Sequence, residues 1–400
     1  MVATAPAGFR RLLTGTALVK LGDGVQSAAL PLLAASLTTN PILVAGTTVA
    51  SLLPWLLVGL LAGATVDRAN RGLLIAFCDV VRLGLFAGLC VALVLDGATI
   101  ALVYTVAFLG GLGATFRDTA SSTLVPELVP PDRRNRANGL LSNATNAGYE
   151  LIGPPLGGYL FGVAVALPFA LNGGLLAAGT ALVCTIPLIF RPRPRPAHRP
   201  TLTGDIAAGL RWLAGQRRLR SVVALGGVLA FTDAAWFATL VLYVQEVLEL
   251  PATMFGVLLA VGAVGGLAGG FGAELIARVL GSGGALLSAA ALAAGCQLAL
   301  GLTAHAVVAA VCLALSSFAF SVFLVVSATV MQTLTPPELY GRAISINRTL
   351  VLGLEPLGAL VGGFVATAWG LRAPFLLGVP LVVLAVLMGG RSLRRAAPAG

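Results

Sequence analysis

Long apolar runs alternate with short polar gaps along the whole chain. Crossing a bilayer takes about 20 apolar residues, and twelve runs meet that length. They lie at roughly 12–36, 42–64, 73–95, 98–122, 138–162, 166–190, 220–245, 253–276, 283–303, 306–330, 343–367 and 371–390. Those on the outer side are joined by short connections, so neighbours form antiparallel hairpins. The pattern predicts an all-α integral membrane protein of twelve transmembrane helices. Glycines four apart recur inside the runs, as at Gly59/Gly63, Gly262/Gly266 and Gly265/Gly269. Close backbone approach at small residues is how helices associate in lipid.

The fifth run repeats in the eleventh. Glu150-Leu151-Ile152-Gly153-Pro154-Pro155-Leu156-Gly157-Gly158 is echoed about 205 residues later by Glu355-Pro356-Leu357-Gly358-Ala359-Leu360-Val361-Gly362-Gly363. Gly59/Gly63, Pro130-Pro131 and Arg136-Ala137 recur at an offset of 206, and Asp23, Pro41 and Gly46 at 210. An even number of helices per copy puts both copies in the same orientation. The expected organisation is therefore a six-helix bundle at 1–190, a linker at 191–218 and a second six-helix bundle at 219–400.

Composition agrees with the runs. The chain is 58% hydrophobic and only 10% charged, with a mean hydropathy of +0.97; a soluble chain is about 25% charged. The net charge of +10 could suggest nucleic acid, but its distribution argues otherwise. Twenty of the 25 basic residues fall in alternate polar gaps, eight of them in the central gap, whereas the intervening gaps hold Arg372 alone. By the positive-inside rule both termini are cytoplasmic in a multi-pass protein of the cell membrane. Lys20 and Asp23 interrupt the first run, which reads as a retained helix rather than a cleaved signal.

The central gap opens with Arg191-Pro192-Arg193-Pro194-Arg195-Pro196, a stiff linker. An amphipathic stretch around Ile206, Leu210 and Leu213 follows, suited to the inner membrane surface and, across 191–220, to anionic lipid. The five cysteines lie in apolar runs without CxxC spacing, and His198 and His305 have no ligand-type neighbours. No metal cluster, nucleotide-binding loop or nucleophile–base pair is visible, so no cofactor, no nucleic-acid partner and no enzymatic activity are expected.

Gly63-x-x-x-Asp67-Arg68-x-x-Arg71 resembles the loop signature of the major facilitator superfamily, and Gly153-Pro154-x-x-Gly157-Gly158 resembles the helix 5 motif of its antiporter branches. Asp23, Leu124-Val125-Pro126-Glu127-Leu128 and Gly209-Leu210-Arg211-Trp212-Leu213 are similar to the enterobactin-exporter and drug-efflux branch. The resemblance covers essentially the whole chain. It implies the major facilitator fold and a cytoplasmic latch at Gly63, Asp67 and Arg68, with Arg71 and Asp118 sharing the charge. Two positions depart from the family pattern: Ala273-Glu274 stand where the first half has Asp67-Arg68, and Ala107 stands where antiporters often carry an arginine.

Four acids lie at membrane depth: Asp23, Glu150, Asp233 and Glu355. Each central charge costs roughly 2.5–3.5 kcal/mol, so four unpaired ones cost on the order of 10–14 kcal/mol. They must be paired, wetted or protonated, and an apolar setting favours the uncharged form of a carboxyl. Proton coupling is expected of them, Glu150 first and Asp233 second, because neither has a basic residue within two turns on its own helix. Lys20 near Asp23 and Arg348 near Glu355 keep simple ion pairing open for the other two. Asp79/Arg82 and Arg117/Asp118 are expected to be structural ion pairs.

For the substrate the resemblance implies the first and second helices of each half, hence Gln26, Trp55, Trp236 and Tyr243. Asn146 and Tyr149 of the fifth run join them, with Asn347 and Arg348 of the eleventh. Aromatic and amide groups suit an amphiphile. The expectation is a monomeric, proton-coupled exporter of small amphiphilic molecules (drug-, antibiotic- or siderophore-like). An uptake symporter, a lysophospholipid carrier on the same fold and a non-transporting membrane sensor are the alternatives.

Overall fold

The computed structural model describes residues 6–66, 69–187 and 215–394; the linker and amphipathic stretch at 191–214 lie outside them. The described residues form twelve principal helices and no strand. They are α1 (Ala7–Leu37), α2 (Pro41–Val66), α3 (Arg71–Val94), α4 (Ile100–Ser122), α5 (134–163), α6 (Leu167–Cys184), α7 (217–247), α8 and α9 (within Ala252–Leu302), α10 (Ala306–Leu334), α11 (Pro337–Trp369) and α12 (Ala373–Arg394). A short helix, Val125–Leu128, and a 3₁₀ turn, Pro131–Arg133, join α4 to α5.

Local chemistry sets several boundaries. The Asn70 side chain accepts from the Leu73 N–H to start α3, and the Thr99 hydroxyl accepts from the Leu102 N–H to start α4, each supplying an acceptor to a helix end that has none of its own. Gly281, at φ 69° and ψ 159°, breaks the 51-residue stretch Ala252–Leu302 into α8 and α9. Only glycine takes that conformation without steric cost.

Nine of the twelve helices lie in stretches apolar enough to cross a membrane by length and composition. The other three, α1, α5 and α11, are the ones that carry Asp23, Glu150 and Glu355.

Helix α5 is continuous but not regular. It runs as Arg134–Asn146, a π-helical turn at Ala147–Ile152, and Gly153–Val163. Pro154 and Pro155 have no N–H to give, so the ladder ahead of them cannot close normally. The Gly153 N–H instead reaches back five residues to the Gly148 carbonyl. Helix α7 also ends in a π turn, Tyr243–Val247, with the Leu248 N–H bonded to the Tyr243 carbonyl at 3.0 Å.

The chain separates into two compact units. The first draws on Met1–Thr39, Ala50–Pro196 and Pro251–Ala260, the second on Asn40–Val49, Ala197–Leu250 and Val261–Gly400. The opening turns of α2 and α8 thus group with the opposite half of the sequence. Within the first unit α1 packs on α5 and α6, and α3 on α4 and α6; within the second α7 packs on α11 and α12.

Glycine contacts repeat between the units. Gly157 of α5 lies against the Val25 backbone of α1, and Gly362 of α11 lies against the Ala235 backbone of α7. Those are equivalent positions under the sequence offsets. Gly158 abuts Gly256 at the start of α8, where a methyl group would come 2.5 Å from the Gly256 Cα. Gly363 abuts Ala45 and Ile42 at the start of α2.

Candidate functional site

Six charged side chains of the first unit form one cluster across four helices. Helix α1 presents Lys20 and Asp23 one turn apart, α3 presents Asp79 and Arg82, α4 presents Arg117 and Asp118, and α6 presents Thr180. Lys20 Nζ donates to Asp23 Oδ2 at 3.2 Å and to Asp118 Oδ2 at 2.5 Å. Arg82 Nη2 donates to Asp23 Oδ1. Arg117 Nε donates to Asp79 Oδ2 at 2.8 Å, and the Thr180 hydroxyl donates to the same oxygen at 2.6 Å. Three cations thus meet three carboxylates, which is how an apolar interior tolerates ions.

Asp79, Arg82 and Arg117 are essentially inaccessible, while the Asp118 side chain keeps 21% of its surface. The expected Asp79/Arg82 pair is present only at 3.9 Å. The chain neighbours Arg117 and Asp118 point to different partners. The short bonds run between helices, which ties α1, α3, α4 and α6 together.

The π turn of α5 wraps α1 beside this cluster. Gly24 lies under the carbonyls of Gly148 and Tyr149, and Gly148 lies against the Leu21 and Lys20 backbone. The Lys20 ammonium stands 6.0 Å from the Tyr149 ring centroid, within reach of a cation–π attraction. Glu150 is exposed on the same turn, and no hydrogen bond or ion pair reaches its carboxylate among the described residues. π turns inside α-helices are frequent at functional sites.

In the second unit Asp233 of α7 is partly buried. Its Oδ1 accepts from Trp236 Nε1 at 3.0 Å and from Gln297 Nε2 of α9 at 3.2 Å. Among the described residues no lysine or arginine pairs with it. Trp236 stacks on Phe375 of α12 with centroids 5.5 Å apart, and Tyr243 packs on the same ring at 4.8 Å. Glu355 is half-buried on α11 and is not free of partners.

The proton-coupling candidates therefore divide into a doubly paired Asp23, a partnered Glu355, and Glu150 and Asp233 without a cation. The substrate candidates divide as well. Gln26 is buried and accepts from Asn172 Nδ2 at 2.8 Å. Trp236 is buried in its stack, and the Tyr243 hydroxyl is tied to the carbonyls of Leu300 and Thr303 at 2.7 and 3.1 Å. In this structure all three are packed inside the bundles, and helical periodicity alone does not tell an inward face from a cavity face. Asn146 and Tyr149 are exposed, and Trp55 and Asn347 are half-buried. The Arg348 side chain lies outside the described residues.

At the expected latch, Gly63 falls in the last turns of α2, and Asp67 and Arg68 lie outside the described residues. Arg71 does not meet Asp118. Its Nη1 donates to Glu127 Oε1 at 2.7 Å and to the Thr123 carbonyl at 3.1 Å, while Asp118 turns to Lys20. The Glu127 carboxylate comes from the short helix Val125–Leu128 that follows α4, in the stretch singled out above for its resemblance to the efflux branch. Asn172, Thr180 and Gln297 were not singled out from the sequence. Each is a lone polar residue in an apolar run, and that was the available signal.

The sequence profile described as the Major Facilitator Superfamily matches residues 12–354. The chain belongs to the major facilitator superfamily. Members are transporters and not enzymes, and the twelve-helix architecture is the major facilitator fold.

Among curated relatives, the multidrug efflux pump Tap of Mycolicibacterium fortuitum is 28% identical over 388 residues, covering 92% of this chain and 91% of Tap. The enterobactin exporter EntS of Salmonella typhimurium is 26% identical over 343 residues, covering 83% and 79%. A bacterial homologue of the iron transporter ferroportin in its inward-facing state superposes with a TM-score of 0.75 at 18% identity, covering 97% and 99%. A bacterial homologue of the human lysosomal transporter Spinster gives 0.71 at 17% identity, covering 98% and 99%. This facilitator is thus a multi-pass membrane transporter whose curated relatives are efflux proteins, and its solved neighbours attest the fold.

Proposed function

We propose that this facilitator is a proton-coupled exporter of small amphiphilic molecules, drug-, antibiotic- or siderophore-like, that works by alternating access of its two halves. It would act in the cytoplasmic membrane with both termini inside, a reading the distribution of basic residues supports. The efflux activity named for Tap and the exporter activity named for EntS support the direction.

The observation that carries the coupling is the contrast among the central acids. Asp23 is neutralised by Arg82 and Lys20, whereas Glu150 and Asp233 have no cation among the described residues. An uncompensated carboxylate in an apolar bundle is stable only when wetted or protonated. Loading a proton from the acid side and releasing it inside therefore changes which surroundings the site tolerates. One proton moving down one pH unit and about 100 mV releases about 3.7 kcal/mol. At about 1.4 kcal/mol per tenfold, that sustains a gradient of several hundred-fold for a neutral solute.

Asn146, Tyr149 and Glu150 all lie exposed at the π turn and its approach. An amide, an aromatic face and an acid so grouped suit an amphiphile with a polar or cationic end.

Inside-out vesicles with an imposed acid interior test the direction. A panel of amphiphilic dyes, ethidium among them, is expected to yield at least one compound that accumulates inside and leaks back when a protonophore collapses the gradient. Net movement outward with the protons would assign an uptake symporter on the same fold instead. Movement of a lysophospholipid in place of every dye would assign a lipid carrier, and no transport of either kind would favour a sensor.

A further inference from the structure

We propose that the first unit carries a binding site for a phosphate-bearing anion, the headgroup of an anionic phospholipid, in the cavity between the first turns of α1 and the last turns of α6. The site is separate from the linker stretch and from every residue assigned above to protons or solute. It stands whichever solute is carried.

Arg10, Arg11 and Thr14 of α1 and Leu182 of α6 line a cavity of about 340 Å³, near the lower end of the range for small-molecule sites, about 300–1,000 Å³. Arg10 is exposed and has no ionic partner among the described residues. Arg11 donates through Nη1 to the Thr185 carbonyl at 2.9 Å. That bond holds its guanidinium on the cavity wall and leaves its other N–H groups to a ligand.

Neither helix compensates these charges locally. The chain has no acid from Met1 to Gly22, nor from Leu151 to Gly204, spans that include all of α6 and the part of α1 ahead of Asp23. Glu127, on the short helix that packs against α1, is bonded to Arg71. Two guanidinium groups and a hydroxyl around one cavity are thus a donor set without an acceptor. Guanidinium forks match phosphate oxygens, and charge-assisted bonds of that kind are strong.

The surroundings favour a lipid over a soluble phosphate. Basic pockets between transmembrane helices on the cytoplasmic side take anionic lipid headgroups, and the basic gaps assign this end of α1 and α6 to the cytoplasm. The surface of α6 also continues the cavity into the apolar span. From Leu182 the row of every fourth residue runs back through Ala178, Gly174 and Ala170, all three exposed, with open space around Gly174. Side chains four apart lie along one face of a helix, so the row is a shallow track leading obliquely away from the cavity. A headgroup held by Arg10 and Arg11 would lay an acyl chain on that track, and a free phosphate would gain nothing from it.

The test follows the melting temperature of purified full-length protein in detergent. It is titrated with phosphatidylglycerol, with zwitterionic phosphatidylethanolamine, whose ammonium finds no acid at the cavity, and with glycerol phosphate. Phosphatidylglycerol is expected to raise the melting temperature at concentrations where the other two do not. In Arg10→Gln/Arg11→Gln its apparent affinity should fall by roughly 30-fold, the ratio that two arginines at about 1 kcal/mol apiece give. Arg10→Gln alone, at an exposed side chain, covers the case in which the double variant does not fold, and should show part of that loss. Ala178→Phe, which blocks the track, should weaken phosphatidylglycerol as well.

Equal protection by the two lipids overturns the inference, and so does an undiminished response to phosphatidylglycerol without the arginines. Protection by glycerol phosphate that matches the lipid's, is lost with the arginines and is untouched by Ala178→Phe would overturn the lipid assignment and give the phosphate site to a soluble ligand.

Discussion

At the scale of single residues, the cluster of α1, α3, α4 and α6 gives each of its acids a different set of partners. Removing one member of a buried pair costs about 3–5 kcal/mol, because its partner is left charged in an apolar place. Arg117→Met, which strands Asp79, is therefore expected to lower the melting temperature sharply in a detergent thermal-shift assay. Asp118→Asn should lower it much less, since Lys20 retains Asp23. Equal losses in the two variants would mean that Asp118 is as structural as Asp79.

The sequence made the charged residues visible and gave their depth, but not their partners. Asp79 and Arg82 sit at a spacing that predicts a pair, yet the short bonds go from Arg82 to Asp23 and from Arg117 to Asp79. Which face of each helix meets which neighbour is a tertiary fact, and one sequence with no partner in view does not contain it. The same limit explains Tyr243 and Gln26, polar groups at plausible depth that turned inward to Leu300, Thr303 and Asn172.

At the scale of elements, glycine governs how closely helices cross. In lipid there is little hydrophobic gain from bringing two apolar helices together, so contact distance and backbone complementarity decide. Gly362 lies against the Ala235 carbonyl and Gly157 against that of Val25, whereas Gly59 and Gly173 have open space around them. Gly362→Val and Gly157→Val are expected to cost about 1–3 kcal/mol each by overpacking, read as a fall in melting temperature. Gly173→Ala should leave it unchanged. A tolerated Gly362→Val would contradict the packing account.

These crossings were legible in the sequence because the glycines recur at matched offsets in both halves. The π turn of α5 was half legible. Pro154 and Pro155 announced a disturbed helix, but not that Gly153 would bond five residues back, nor that the turn would wrap α1 at Gly24. Pro154→Ala/Pro155→Ala, which restores two N–H donors, is expected to relax that turn. Altered labelling of a cysteine placed at Tyr149 would report it, and identical labelling would mean the prolines are not its cause.

At the scale of the whole molecule, the apolar runs and the internal duplication were enough to give twelve helices, and the family came from the resemblance of the motifs at Gly63–Arg71 and Gly153–Gly158. Runs of membrane length have few folded solutions, and a doubled six-helix pattern narrows them further. What stayed hidden was the substrate, because its recognition depends on a few side chains whose facing direction no pattern fixes. The asymmetry between the halves also emerged only from the structure. The first unit concentrates six charges in an ion cluster, while at the described depth of the second stands Asp233 among Trp236, Gln297 and Phe375. The two halves thus keep a common scaffold but differ in the charges they carry at the described residues.

The central claim is that an acid without a cationic partner couples proton entry to solute exit, and Glu150→Gln in inside-out vesicles tests it most directly. With the dye identified by its gradient-driven accumulation, the account predicts that the variant still shows the dye-induced thermal shift of the wild type but no longer accumulates dye when the interior is made acid. Gradient-driven accumulation at the wild-type rate in Glu150→Gln would contradict it.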